Sequence, residues 1–87
     1  TNTNENQLID DQIENYEIEK YKQAMKKKLM QSIQELPERE RIVISLYYYE
    51  QLSLKEIGVI IGVTESRVSQ IHSSAIIKLR NSINMEF

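Results

Sequence analysis

The sequence predicts an all-α fold: a small helical bundle of about four helices that ends in a C-terminal helix-turn-helix. Three observations predict it. Apolar residues recur at three- and four-residue steps along most of the 87 residues. No segment alternates with period two, and only two Gly and one Pro punctuate the chain. Between Ser53 and Ile71, two helix starts and one glycine turn follow each other at the spacing of two short helices packed face to face.

Residues 1–12 are rich in Asn, Thr and acidic residues and hold few apolar anchors, so they are expected to be a disordered tail or linker. Helical periodicity starts at about Ile13 and runs to Glu35. Ile18, Tyr21, Met25, Leu29, Ile33 and Leu36 form a stripe, which is expected to be core or a partner surface. Lys20, Lys22, Lys26, Lys27 and Lys28 fall largely off that stripe and read as a solvated face. Pro37 suits the first turn of a second helix, where its missing N–H costs nothing. It also pushes Leu36 out of helical geometry. Glu38 and Glu40 then favour the positive end of the helix dipole. This helix is expected to run to about Glu50. Ile42, Val43, Leu46 and Tyr47 share one face, while Ile44 and Tyr48 share another. Tyr47, Tyr48 and Tyr49 stand in a row. At roughly 100° per residue, at least one of them must face solvent or cover a partner.

Gln51 and Leu52 lead to Ser53. Ser53 and Glu56 are three apart and precede apolar periodicity, the pattern of a capping box. Ile57, Ile61, Val63, Val68 and Ile71 are apolar where two short helices bury their facing sides. Gly58 is small where those helices cross. Gly62 falls at the turn, where a positive φ suits glycine. Thr64 stands where the next helix needs an N-cap. That helix should continue to about Asn81 or Ile83, with Val68, Ile71, Ala75, Leu79 and Ile83 buried. Met85–Phe87 should be a frayed tail. A helix-turn-helix presents its second helix to the major groove of DNA. Glu65, Ser66, Arg67, Ser69, Gln70, Ser73 and Ser74 surround that helix's exposed faces and can bond base edges or phosphates.

Four blocks carry a resemblance: Leu36–Leu46, Leu52–Gly58, Val63–Ile71 and Ala75–Arg80. In order and spacing they resemble region 4 of the bacterial sigma-70 family of RNA polymerase sigma factors. The segment Arg67-Val-Ser-Gln-Ile-His72 is more similar to the flagellar and motility class than to the housekeeping class. The resemblance covers about residues 36–80. It assigns 13–87 to a sigma region 4-like domain with its helix-turn-helix at about 53–80. It implies recognition of the promoter −35 element, as double-stranded DNA, within RNA polymerase holoenzyme in the cytoplasm.

Carried over position by position, the resemblance names Glu65, Ser66, Arg67, Ser69, Gln70 and Ser73 as base-reading candidates. Gln70 matches the family glutamine, whose amide can pair bidentately with adenine. Glu65 and Ser66 depart from the Arg and Glu of the housekeeping class, so that class's guanine-reading pair is absent. Arg67 either reads guanine, clamps a phosphate, or pairs with Glu65 or Glu56. Phosphate contacts fall to Arg39, which matches a family arginine, and to Thr64. Ser53, the Leu54 amide and Lys55 add others at a helix start. Ser74 stands where the housekeeping class has a lysine. The resemblance also implies an apolar groove that holds the β flap of the polymerase core or an anti-sigma factor. Its candidates are Ile44, Leu46, Tyr48 and Leu54.

Composition bounds the alternatives. There is room for one domain, and the chain begins at Thr1 rather than Met. A sigma factor also needs −10 recognition, so a C-terminal piece of a longer protein is expected. With no Cys and His72 alone, no metal site, disulfide framework or cofactor is expected. No nucleophile-base pair or Gly-rich phosphate loop is present, so an enzyme is not expected. There is no signal peptide and no apolar run of the ~20 residues that span a bilayer. The net charge is −2, unusual for a DNA binder. Residues 53–84 lean the other way: Lys55, Arg67, Lys78 and Arg80 stand against Glu56 and Glu65. Two other readings stay open. One is an autonomous helix-turn-helix regulator that binds DNA as a dimer. The other is a helix-turn-helix-derived protein-interaction module.

Overall fold

The computed structural model describes residues 2–84, and their side chains from Ile13 onward. Four helices follow in order: α1 (Asn2–Gln34), α2 (Glu38–Ile44), α3 (Leu54–Ile61) and α4 (Glu65–Asn84). No strand occurs among the described residues, so the all-α expectation holds. The tail or linker expected over residues 1–12 falls where no side chain is described. The frayed tail expected at Met85–Phe87 lies outside the described residues.

The apolar stripe of α1 has two fates. Ile33 and Leu36 are buried with Ile44, Ala75 and Leu79, and half-buried Ile76 packs on them. This joins the end of α1 to α2 and α4. Ser32 reinforces the join: its hydroxyl donates to the Lys28 carbonyl at 2.9 Å and pairs with the Ser82 hydroxyl at 2.7 Å. Farther back along α1, Ile18, Tyr21 and Leu29 are exposed and Met25 is half-buried. That part of the stripe is not core.

Pro37 sits one place earlier than expected, at the N-cap of α2, with φ −51° and ψ 148°. α2 ends at Ile44, and the chain then widens into a π-helical turn over Ser45–Tyr49. The Glu50 N–H reaches the Ser45 carbonyl at 3.2 Å, and the Leu52 N–H reaches Leu46 at 3.0 Å. The sequence pattern had implied one regular helix to Glu50. Gln51, at φ 57°, then reverses the chain in the left-handed region. Val43 and Ile44 are both buried but serve different clusters. Ile42, expected on the same face as Val43, is exposed.

The second cluster joins α2, α3 and α4 through Val43, Ile57, Val68 and Ile71. Val43, Ile57 and Val68 are wholly buried. α3 starts with both bonds of the capping box: the Glu56 N–H donates to Ser53 Oγ at 3.1 Å, and the Ser53 N–H donates to Glu56 Oε1 at 3.0 Å. α3 ends at Gly62, with φ 76° and ψ 34°. The N–H groups of Gly62 and Val63 both reach the Gly58 carbonyl at 2.9 Å. A Cβ on Gly58 would lie 2.7 Å from the Val63 carbonyl oxygen. The turn therefore requires both glycines for different reasons: Gly62 for its dihedral angle, Gly58 for the close approach. α4 is capped as expected. The Arg67 N–H donates to Thr64 Oγ1 at 3.1 Å. Val68, Ile71, Ala75 and Leu79 are buried along α4, and Ile83 is half-buried.

Candidate nucleic-acid interface

The Thr64 cap and the buried Val68 and Ile71 fix the rotation of α4, and this decides which side chains point outward. Glu65, Ser66, Arg67, Ser69, Gln70 and Ser73 are all exposed. Arg67 pairs with neither Glu65 nor Glu56. Its Nη1 donates to Gln70 Oε1 at 3.2 Å, one helical turn along. The two side chains are thus held together on one face. Arg67, Gln70, Ser74 and Lys78 recur at three- and four-residue steps and line a cleft with Pro37, Arg39 and Glu40. A neighbouring strip carries Ser69, Ser73 and Ile77. The face offers mostly donors, from guanidinium, amide and hydroxyl groups, which suits phosphate oxygens and purine acceptors.

The phosphate candidates divide into two places. Arg39 lies in the cleft beside Arg67. Ser53, Leu54 and Lys55 sit at the start of α3, outside that cleft, and Lys55 is exposed there. The Ser53 and Thr64 oxygens already accept backbone N–H groups as caps, but each hydroxyl can still donate. Hydrogen bonds from the Ser53 backbone and then the Ser53 side chain hold the Glu56 carboxyl below its ordinary range, against a smaller opposing effect of burial.

Glu40 stands in the first turn of α2, as its sequence position implies. It is also buried, at 7% exposure, and Lys78 Nζ donates to its Oε2 at 2.7 Å. Burial pushes the Glu40 carboxyl up. The hydrogen bonds from Lys78 and Ser74, with the Lys78 charge, outweigh it and hold the group below its ordinary value. Lys78, though half exposed, is therefore partly neutralised by Glu40, and the basic excess of residues 53–84 is smaller than the sequence count implies. The only signal for this pair was the presence of an acid in α2 and a base far along α4. Spacing alone does not connect them.

On another side, Leu29, Ile33, Ile44, Tyr48, Tyr49, Ile76 and Leu79 line an apolar groove between α1, the π-helical turn and α4. Two of the four groove candidates, Ile44 and Tyr48, are in it. Leu46 and Leu54 are not: both pack against the cluster of Val43, Ile57, Val68 and Ile71. The π-helical turn gives the three tyrosines different surroundings, although the Tyr47 and Tyr48 rings meet edge to face at 4.8 Å. Tyr47 is half-buried, with its ring 5.1 Å from that of His72. Tyr48 stacks on His72 at 5.7 Å, and its hydroxyl pairs with His72 Nε2 at 2.9 Å. Tyr49 donates to the Met30 sulfur at 3.4 Å. Sequence reasoning missed Tyr49, Ile76 and Leu79 in this groove: the widened turn that places Tyr49 has no marker residue, and Ile76 and Leu79 come from α4, far along the chain. Among the described residues no cluster of three or more His, Cys, Asp or Glu could hold a metal ion. No described helix is long and apolar enough to cross a membrane.

Comparison with known proteins agrees with this geometry. Residues 32–81 match the family model described as Sigma-70, region 4. RNA polymerase sigma factor FliA of Escherichia coli K12 is 52% identical over 59 residues, covering 68% of this chain and 25% of that protein. FliA of Pseudomonas aeruginosa is 60% identical over 52 residues, covering 60% of this chain and 21% of that protein. RNA polymerase sigma-D factor of Bacillus subtilis is 51% identical over 53 residues, covering 61% of this chain and 21% of that protein. The chain spans about a quarter of the length of the curated relatives it matches.

Proposed function

The chain belongs to the sigma-70 family, as a region 4 domain of the flagellar class, and from this we propose that it recognises the promoter −35 element as part of RNA polymerase holoenzyme, directing transcription initiation in the cytoplasm. One observation carries the reading. The hydrogen-bonded pair Arg67–Gln70 stands on the outer face of a helix whose start and rotation are fixed by a capped glycine turn. A base-reading group must be held at a defined place on a rigid element to discriminate.

On this reading Arg67 and Gln70 read base edges in the major groove, with Glu65, Ser66, Ser69 and Ser73 beside them. Arg39 and Thr64 meet phosphates near α4, while Ser53, the Leu54 amide and Lys55 meet them at the start of α3. Ser74 contributes little, because it is half-buried in the cleft beside Glu40 and carries no charge. Few free cations remain on the face, so the isolated domain binds DNA weakly, since phosphate neutralisation supplies most nonspecific affinity. Attachment to the polymerase compensates by raising the effective concentration at the promoter. The apolar groove of Ile44, Tyr48 and Tyr49 is the surface for the β flap of the polymerase core, and an anti-sigma factor would compete for it. Leu46 and Leu54 pack in the cluster around Val43 and Ile57 and take no part in this groove.

The experiment is a pull-down of the chain with the isolated β-flap domain. Ile44 is too buried to probe the groove without harming the fold, so Tyr49→Asp is the variant of choice. Binding by the parent chain and its loss in Tyr49→Asp are expected. No flap binding, together with tight salt-dependent binding to duplex DNA alone, would favour an autonomous regulator instead.

A further inference from the structure

Three cations and one acid converge on the polar face of α4. Arg39, Arg67 and Lys78 line one cleft together with Glu40, Gln70 and Ser74. Arg39 and Arg67 are exposed, and neither pairs with a carboxylate among the described residues. Lys78 does, with its Nζ 2.7 Å from Glu40 Oε2. The Lys78 side chain is 51% exposed, whereas Glu40 is buried. A surface lysine therefore reaches inward to an acid that is nearly closed off from water.

The place of Lys78 on α4 gives this contact a consequence. Lys78 follows Gln70 by eight residues, roughly 12 Å along the helix. The major groove is about 12 Å wide. With Gln70 at a base edge, Lys78 stands at the wall of the groove, where the phosphates run. It also borders the hollow lined by Ser69, Gln70, Ser73 and Ser74, so nothing separates it from the base-reading strip. Its flexible four-carbon stem can carry the ammonium to a phosphate. Glu40 opposes that movement. Its other oxygen, Oε1, is buried with no hydrogen-bond partner. Stranding a buried carboxylate costs several times what one exposed cation gains from a surface partner.

We propose, on the reading of this face as the DNA side, that Lys78 is a phosphate ligand held in reserve and that Glu40 withholds it. Of the three cations in the cleft, only Arg39 and Arg67 are then free to neutralise phosphates. Each phosphate contact adds affinity that does not depend on sequence. Glu40 thus lowers the grip of the isolated domain on DNA of any sequence.

The test is binding of the 87-residue chain to a fluorescent duplex of unrelated sequence, followed by anisotropy over a salt series. Glu40→Gln should tighten binding several-fold at low salt. It should also steepen the slope of log affinity against log salt by roughly 0.9, the amount for one added phosphate contact. Lys78→Gln keeps a donor for Glu40 and should leave the slope of the parent unchanged. The combined variant should return to the parent slope. Glu50→Gln removes an exposed acid outside the cleft and controls for net charge, so it should change little. Melting temperature checks folding, and Glu40→Met should act as Glu40→Gln does. A slope unmoved in both Glu40 variants overturns the proposal. So does a fall in slope on Lys78→Gln alone, a gain that survives Lys78→Gln, or an equal gain in Glu50→Gln. The duplex is unrelated to any promoter, so this outcome is separate from motif selection. An enriched motif with an unmoved slope would remove the reserve and leave the promoter reading standing.

Discussion

Two glycines and one glutamine make different demands on the backbone, and each gives a separate prediction. At Gly58 a methyl group would press on the Val63 carbonyl oxygen at 2.7 Å, an atom tied into the turn. Gly58→Ala should therefore destabilise the domain by about 1–3 kcal/mol, the range for overpacking. At Gly62 there is open space around the site, but φ is 76°. Gly62→Ala should cost about 1 kcal/mol, and Gly62→Val more, because a branched residue resists that region. Gln51 holds the same kind of angle without being glycine. Gln51→Gly should stabilise by up to about 1 kcal/mol, since glycine removes the strain but gains freedom in the unfolded chain. Thermal melts of the three variants check this, and a stabilising Gly58→Ala would contradict the packing of the turn. Gly58, Gly62 and Thr64 were legible in the sequence because their roles depend on near neighbours. Gln51 was not, since nothing about a glutamine marks a positive φ.

At the scale of elements, α2 is tied to α4 by an ion pair between the buried Glu40 carboxylate and the half-exposed Lys78. Glu40 has a lowered carboxyl pKa in the fold. Its contribution is therefore fully present above the unfolded value of 4.5 and is lost as pH falls through the lower folded value. The stability gap between the parent chain and Glu40→Gln should shrink as pH drops through that window. A gap that is constant from neutral pH to strongly acid pH would refute the linkage. Lys78→Met should cost more than Glu40→Gln at neutral pH, because it strands a buried carboxylate. The helix starts of α3 and α4 were readable from sequence, as capping bonds span three residues. The Glu40–Lys78 pair spans 38 residues, and local patterning carries no record of such a meeting. The π-helical turn at Ser45–Tyr49 was equally hidden, and with it the placement of Tyr49 in the groove. The family resemblance put Leu46 and Leu54 on that surface, whereas the cluster around Val43 and Ile57 claims them.

For the whole molecule, the separation of surfaces matters most. The polar face of α4 and the apolar groove beside Tyr48 and Tyr49 use different sides of the same bundle, so the proposed function requires no competition between DNA and a protein partner. The low charge of the chain fits a domain that works while attached to a larger machine. The most direct measurement is selection of bound duplexes from a random DNA pool by the chain, repeated with Arg67→Ala and Gln70→Ala. The promoter reading predicts one enriched motif. Gln70→Ala should relax it at one position by about 1–3 kcal/mol of discrimination while binding to unrelated DNA stays nearly unchanged. An absence of any enriched motif, or a loss that is uniform across all sequences in both variants, would contradict it.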